Sequence, residues 1–124
     1  MKSAFDAFAM LGFHAARLTL VAEELNAVCD GGVSRSPGWR KVINQGRTQG
    51  LTVYALSQRP ALIDKDTLGN ASLTRCGRLN WEPDAKLMAK MMRCRPDDLL
   101  DMPKFHFIAK ADTGEITQGI GQRV

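Results

Sequence analysis

The sequence predicts an α/β protein in which strands alternate with helices and a β-hairpin closes the chain. Two apolar runs, residues 18–22 and 51–56, have the length and continuous hydrophobicity of strands covered on both faces, and helical sequence lies between them. Near the C-terminus, residues 105–111 and 116–120 flank a short turn that contains glycine. Alternating strands and helices predict a layered sheet, largely parallel, with flanking helices.

The remaining elements follow from helical spacing and from turn residues. Ser3 is a candidate N-cap of the first helix, and either Gly46 or Gly50 is a candidate left-handed cap of a later one. The predicted elements are, in order, a helix containing residues 5–15, the strand at 18–22, a short helix at 24–29, a loop at 30–38, a helix at 39–45, the strand at 51–56, a loop with a helical turn at 63–70, an extended run at 73–80, a helix at 84–92, a short helix at 96–100 and the hairpin.

Size and composition place the chain among ordinary globular proteins. With 124 residues, 44% hydrophobic and 24% charged, residues 1–124 are predicted to form a single domain. No apolar run reaches the roughly 18 residues that a membrane span needs, and the N-terminus does not have the pattern of a secretion signal. Cys29, Cys76 and Cys94 show neither metal-site nor disulfide spacing, which favours a reducing, cytoplasmic location. No metal site is predicted.

The net charge of +4 is unevenly distributed along the chain. Arginine outnumbers lysine, and its planar guanidinium suits phosphate groups. The residues predicted to contact nucleic acid or a protein partner are Arg35, Arg40, Lys41, Arg47 and Arg59. The alternative to such a contact surface is that these charges only balance nearby acids.

Reactive polar residues follow each of the two apolar strands. Glu23 and Glu24 come directly after the first, and Gln58 follows the second. Because parallel strands end at the same edge of a sheet, these side chains are predicted to lie close together. An apolar strand followed by two acids resembles the Walker B element of P-loop ATPases, which implies one acid holding Mg²⁺ and one polarising a water. The alternative is that both acids merely begin a helix.

The stretch around the second strand carries a more specific resemblance. Its sequence, Gly46-Arg47-Thr48-Gln49-Gly50-Leu51-Thr52-Val53 and then Ser57-Gln58-Arg59-Pro60, resembles that of the HerA/FtsK class of DNA-translocating ATPases, which includes viral DNA-packaging and Zot-like ATPases. The resemblance covers residues 17–78. It implies that Gln58 contacts the γ-phosphate and that Arg47 reaches into a neighbouring subunit's nucleotide site. The structural alternatives are that Gln58 caps a strand end and that Arg47 faces solvent.

The phosphate-binding motif of that class, Gly-x-x-x-x-Gly-Lys-Ser/Thr, does not occur in the 124 residues. The resemblance is therefore to the C-terminal half of such an ATPase, a partial P-loop NTPase-like fold. Without the backbone N–H groups and lysine of the motif, ATP loses most of its charge-assisted contacts. Self-sufficient ATP hydrolysis is not expected. No cofactor is expected for the chain alone, and Mg-ATP only where a partner completes the site.

Two functions are consistent with these observations. In the first, the chain is a truncated ATPase-related protein of phage or mobile-element origin, associated with DNA translocation or packaging. Glu23, Glu24, Gln58 and Arg47 then complete a nucleotide site in trans or are vestigial. In the second, it is a non-catalytic inhibitor or adaptor, for example against host defence, that binds a host protein or nucleoprotein complex. A fragment of a longer ATPase is a further possibility, and its open sheet edge favours self-association. A protein partner, self-association or nucleic acid is expected, and a membrane is not.

Overall fold

A computed structural model describes residues 2–30, 33–34 and 36–121, with only the backbone at residues 30, 33 and 34. The chain divides into two compact units, Met1–Asn70 and Ala71–Val124, here called the N-terminal unit and the C-terminal unit. The elements of the N-terminal unit are α1 (Lys2–Ala15), β1 (Thr19–Ala22), β2 (Cys29–Asp30), β3 (Val33–Ser34), α2 (Pro37–Gln45), β4 (Thr52–Ala55) and α3 (Lys65–Gly69). Those of the C-terminal unit are β5 (Leu73–Cys76), α4 (Glu82–Met92), α5 (Pro96–Leu100), β6 (His106–Ala111) and β7 (Ile116–Ile120).

The two apolar strands pair in parallel, as predicted. β1 lies beside β4 in a register that runs from Thr19 opposite Thr52 to Ala22 opposite Ala55. Leu20 of β1 is buried, because it packs against α1 at Gly12, where a Cβ would lie 2.6 Å from a Leu20 methyl carbon. The expectation that both faces are covered is wrong within the N-terminal unit: Val21 and Tyr54, on the other face, are 52% and 58% exposed. The core of this unit, which includes Ala9 and Phe13 of α1, lies on the Leu20 face of the strand pair.

The close packing of α1 and α2 depends on a glycine and on a shared aspartate. A Cβ at Gly38 would lie 2.9 Å from the main-chain oxygen of Asp6, so the two helices approach too closely there for a larger residue. The Asp6 carboxylate accepts a hydrogen bond from the Gly38 N–H at 2.8 Å and from the Ser36 hydroxyl at 2.7 Å. Ser36 also caps α2 by accepting from the Trp39 N–H at 3.0 Å. α2 therefore begins at Pro37, two residues earlier than predicted.

Asp6→Ala is expected to lower the melting temperature at neutral pH. The Gly38 N–H and then the Ser36 hydroxyl hold the pKa of Asp6 below its ordinary value, because both donate to the ionised form. A depressed pKa in the folded state stabilises the fold above the ordinary aspartate value of about 3.9, and this stabilisation is lost as the pH falls through the folded pKa. Melting curves from pH 7 to pH 2.5 should therefore show the difference from wild type narrowing at acid pH. Asp66→Ala, an exposed aspartate in α3, is the control; a pH-independent difference for Asp6→Ala would contradict the prediction.

Several other predicted boundaries and cap residues are corrected by the structure. Ser3 lies inside α1 rather than at its N-cap. The described part of the predicted loop at 30–38 contains β3 and the start of α2. Gly50, with φ +70°, is the left-handed residue after the helical segment, whereas Gly46 has helical angles and continues it as the 3₁₀ helix Gly46–Gln49.

The C-terminal unit is a three-stranded antiparallel sheet with its own core. β6 and β7 form the predicted hairpin. The third predicted strand, β5, pairs antiparallel with β6 rather than extending the parallel pair. The buried side chains of this core include Cys76, Met88, Met92, Leu99 and Ile108. The prediction of an α/β protein with a parallel element and a C-terminal hairpin is confirmed. None of the described helices combines the length and the apolar character that crossing a bilayer requires.

Candidate functional site

The C-terminal ends of β1 and β4 lie side by side, and hydrogen bonding continues past both strands. The Leu56 N–H donates to the Ala22 carbonyl at 2.8 Å, and the Leu25 N–H donates back to the Leu56 carbonyl at 3.2 Å. This places the residues that follow each strand at the same edge of the sheet, as parallel pairing requires. The structure therefore brings Glu24 and Gln58 together at this edge, and it places Glu23 next to Glu24 in the chain.

Glu24 and Gln58 are in direct contact at this edge. The Gln58 Nε2 amide donates to the Glu24 carboxylate at 3.2 Å, and both side chains are exposed. Glu24 has φ 51° and ψ 43°, a left-handed conformation that is uncommon for a residue with a side chain. Four other described residues with side chains share such a positive φ: Ala16, Arg17, Arg93 and Phe105. The residue after Glu24, Leu25, is held by its hydrogen bond to the Leu56 carbonyl, just past the end of β4.

Glu23 precedes Glu24 and is exposed at the end of β1. Together the two glutamates offer carboxylate oxygens, the ligands that Mg²⁺ prefers, and Mg²⁺ usually takes only one or two of them alongside phosphates and waters. Within the described residues, no group of three or more His, Cys, Asp or Glu side chains is placed to hold a metal ion by itself. The donor set therefore fits a metal that arrives with a phosphate ligand better than a resident structural ion.

Two further residues complete this edge, and one of them was not identified from the sequence. Ser57 donates its hydroxyl to the Asn26 side-chain oxygen at 2.8 Å and accepts from the Arg59 N–H at 3.0 Å. The Ser57 and Asn26 side chains are half-buried. Asn26 lies in the 3₁₀ helix Leu25–Val28, inside the short helix expected there. No local pattern marks Asn26, because its partner lies 31 residues away in the sequence.

Arg47 lies at the other end of β4, apart from the glutamates and Gln58. It is exposed within the 3₁₀ helix Gly46–Gln49, which precedes the strand, whereas Gln58 follows it. Four strand residues alone span roughly 13 Å. The structure thus separates Arg47 from Glu24 and Gln58 of its own chain.

The predicted basic surface is divided by the structure. Arg40 is exposed on α2, but the neighbouring Lys41 is half-buried and its ammonium lies 5.0 Å from the centroid of the Phe13 ring. This cation–π contact ties the Lys41 charge to α1. Arg59 is half-buried beside the Ser57 turn. Arg35 lies outside the described residues.

The cysteines have the surroundings of packing residues rather than nucleophiles. Cys29 is buried, and its thiol lies 3.7 Å from the Asp64 carboxylate, to which it donates. Burial raises the pKa of the Cys76 thiol to about 11, with a smaller contribution from Cys94. A thiol with so high a pKa is almost wholly protonated at neutral pH and is a poor nucleophile.

No protein-family profile matches the sequence. Over 80 residues the chain is 35% identical to Protein P9 of Pseudoalteromonas phage PM2, an alignment that covers 61% of this chain and 36% of P9. The chain therefore spans only about a third of that relative.

The fold is similar to that of solved viral structures. The genome packaging NTPase B204 from Sulfolobus turreted icosahedral virus 2 in complex with sulfate superposes with a TM-score of 0.80 at 11% identity, covering 98% of this chain and 63% of B204. The B204 complex with AMP superposes with a TM-score of 0.75 at 12% identity, covering 98% of this chain and 62% of B204. The crystal structure of B204, the DNA-packaging ATPase from Sulfolobus Turreted Icosahedral Virus, superposes with a TM-score of 0.70 at 12% identity. This alignment covers 85% of this chain and 52% of B204. The chain thus has a partial P-loop NTPase-like fold, about half to three-fifths of the length of these neighbours.

Proposed function

We propose that the edge formed by β1 and β4 is part of the nucleotide site of a viral DNA-packaging type of ATPase. The observation that carries the proposal is the hydrogen bond from Gln58 to Glu24 at the C-terminal ends of two parallel strands. Ligands of open α/β sheets bind at this edge. The fold, which is similar to that of a viral genome packaging NTPase, supports the same assignment.

Each polar residue of the edge then has a distinct role. Glu23 and Glu24 supply carboxylates, one toward Mg²⁺ and one toward the attacking water, and Gln58 contacts the terminal phosphate. The Gln58 amide suits this role because it offers both a donor and an acceptor. Mg²⁺, when bound with ATP, neutralises charge on the phosphates. The carboxylates and the amide hold and orient these groups from a preformed edge.

The phosphate cradle of this site comes from outside the 124 residues. Backbone N–H groups of a glycine-rich loop and a lysine supply most of the charge-assisted contacts to ATP in P-loop enzymes. The strand ends contribute carboxylates and an amide, which do not replace those donors. We therefore expect the chain alone to show no ATP turnover, and a polypeptide that carries the loop to restore it.

Arg47 acts on the nucleotide site of a neighbouring copy. Its exposed position at the opposite end of β4 keeps it away from Glu24 and Gln58 of its own chain. A guanidinium delivered by a second subunit stabilises the charge of the phosphoryl-transfer transition state. An Arg47→Ala chain that supports full turnover in the completed assembly would contradict this role.

Gln58→Ala is expected to lower Mg-ATP turnover by roughly ten- to a hundredfold when the chain is combined with a polypeptide that carries the phosphate-binding loop. The physical reason is the loss of an amide that orients reacting groups at the strand ends. Steady-state phosphate release measures the effect, and Gln118→Ala, an exposed glutamine of β7, is the matched control. Equal turnover in the two variants would remove Gln58 from the site.

A non-catalytic adaptor is the second candidate function, and the exposed apolar face of the strand pair favours it. Val21 and Tyr54 are more than half exposed on that face, as is typical of a protein-binding surface. In this case the chain binds a protein partner, and Glu23→Gln and Gln58→Ala leave binding intact. Val21→Asp or Tyr54→Asp, which places a charge on that face, is then expected to abolish it.

A further inference from the structure

Asn26 is held rigidly beside the strand ends. It lies in the 3₁₀ helix Leu25–Val28, whose first and last side chains are both buried in the core of the N-terminal unit. The Leu25 N–H also donates to the Leu56 carbonyl, so the helix is tied to the end of β4 as well as to the core. The backbone at Asn26 is therefore anchored from two directions.

Gln58, in contrast, lies in a loop with few anchors of its own. Its side chain is exposed, and its described hydrogen bond is to the carboxylate of Glu24, which is exposed too. An exposed hydrogen bond between flexible side chains is weak unless the backbone holds both in place. The residues on either side of Gln58 provide that restraint.

The restraint passes through the Ser57 hydroxyl. This hydroxyl accepts from the Arg59 N–H, two residues ahead, and so closes a tight turn around Gln58. The same hydroxyl donates to the Asn26 side-chain oxygen at 2.8 Å, which attaches the turn to the rigid 3₁₀ helix. Asn26 and Ser57 are together called the strand-end latch.

We propose that Asn26 is a positioning residue, which acts through Ser57 to hold the Gln58 amide against Glu24. This inference rests on the proposed function, because it gives Gln58 a fixed place in the nucleotide site. In this proposal the latch aligns the Gln58 side chain and does not itself contact the nucleotide. Breaking the latch frees the Gln58 turn while the two buried side chains keep the 3₁₀ helix in place.

The first test is NMR on the ¹⁵N-labelled 124-residue chain. The side-chain amide signal of Gln58 is identified by its absence in Gln58→Ala. In Asn26→Ala and in Ser57→Ala this signal is expected to move to the position of a freely rotating glutamine, and the double variant should add nothing further. Ser57→Thr keeps the hydroxyl and should retain the wild-type signal. Asn44→Ala breaks another side-chain hydrogen bond of the same unit, to Asn70, and is the matched control.

The second test is Mg-ATP turnover in the assembly completed by a phosphate-loop polypeptide. Asn26→Ala is expected to lower kcat roughly ten- to a hundredfold with KM unchanged, and Ser57→Thr to keep wild-type kcat. A Gln58 signal that stays at the wild-type position in Asn26→Ala would overturn the inference. So would a wild-type kcat for Asn26→Ala under conditions in which Gln58→Ala lowers kcat. If the signal moves as expected but Gln58→Ala itself turns over normally, the latch is supported and the proposed role of Gln58 fails.

Discussion

Replacing Trp39 with alanine is expected to lower the free energy of unfolding of the N-terminal unit by about 3–5 kcal/mol. Trp39 is fully buried, and its ring lies 5.3 Å from the centroid of Phe5. The free energy lost is a large part of the total of about 5–15 kcal/mol that holds a typical domain folded. We therefore expect a unit whose margin of stability is strongly reduced.

The expected loss lies toward the upper end of this range because Trp39 also belongs to a buried polar network. Its Nε1–H donates to the Thr67 hydroxyl at 2.9 Å, and that hydroxyl donates to Asp64 at 2.7 Å. The Thr67 N–H donates to the other Asp64 carboxylate oxygen at 3.0 Å, which caps α3. Removal of the indole leaves the Thr67 hydroxyl without its donor in a buried site.

Two measurements separate the packing of Trp39 from its hydrogen bond. Urea unfolding followed by far-UV circular dichroism should show a lower midpoint for Trp39→Ala. Trp39→Phe keeps much of the ring volume and should lose about 1–3 kcal/mol, the cost of leaving the buried Thr67 hydroxyl without its donor. Trp81→Ala, a half-exposed tryptophan of the C-terminal unit, controls for the loss of any indole. A wild-type midpoint for Trp39→Ala would contradict the packing that the structure shows.

The buried state of Trp39 also illustrates which features of the sequence predict structure. Local signals, such as an apolar run or a glycine turn between two alternating segments, predicted β1, β4 and the hairpin. They also predicted that Glu24 and Gln58 meet, because parallel strands end at one edge of a sheet. These predictions need only the residues of each element and one rule of sheet topology.

Features that depend on distant partners could not be predicted in this way. β5 pairs with β6 across some 30 residues, and no local pattern specifies that partner. Lys41 is part of a basic run in the sequence, yet its charge lies over Phe13 of another helix. The contact between Asn26 and Ser57 likewise joins residues that are 31 positions apart in the sequence. Long-range contacts decide each of these cases after the local elements have formed.

The carboxylate of Glu24, in its proposed role toward the attacking water, carries the prediction with the largest functional effect. Glu24→Gln is expected to lower Mg-ATP turnover of the completed assembly by roughly a hundred- to ten-thousandfold, the usual contribution of a positioned general base. The neutral amide occupies the same space but cannot accept a proton from water. Phosphate release under saturating Mg-ATP measures the loss, and Glu115→Gln, an exposed glutamate at the hairpin turn, is the matched control.

Glu24→Gly separates the role of the carboxylate from that of the backbone. Glycine adopts φ near 51° without a Cβ clash, so the free energy of unfolding of this variant should equal that of wild type or exceed it by up to about 1 kcal/mol. Its turnover should fall as that of Glu24→Gln does. A residue that costs stability but is needed for turnover is the expected property of a strained catalytic position. If Glu24→Gly were instead markedly destabilised, the carboxylate would have a structural role, and its left-handed conformation would be explained by folding rather than by catalysis. If both variants kept full turnover, Glu24 would have no place in the reaction.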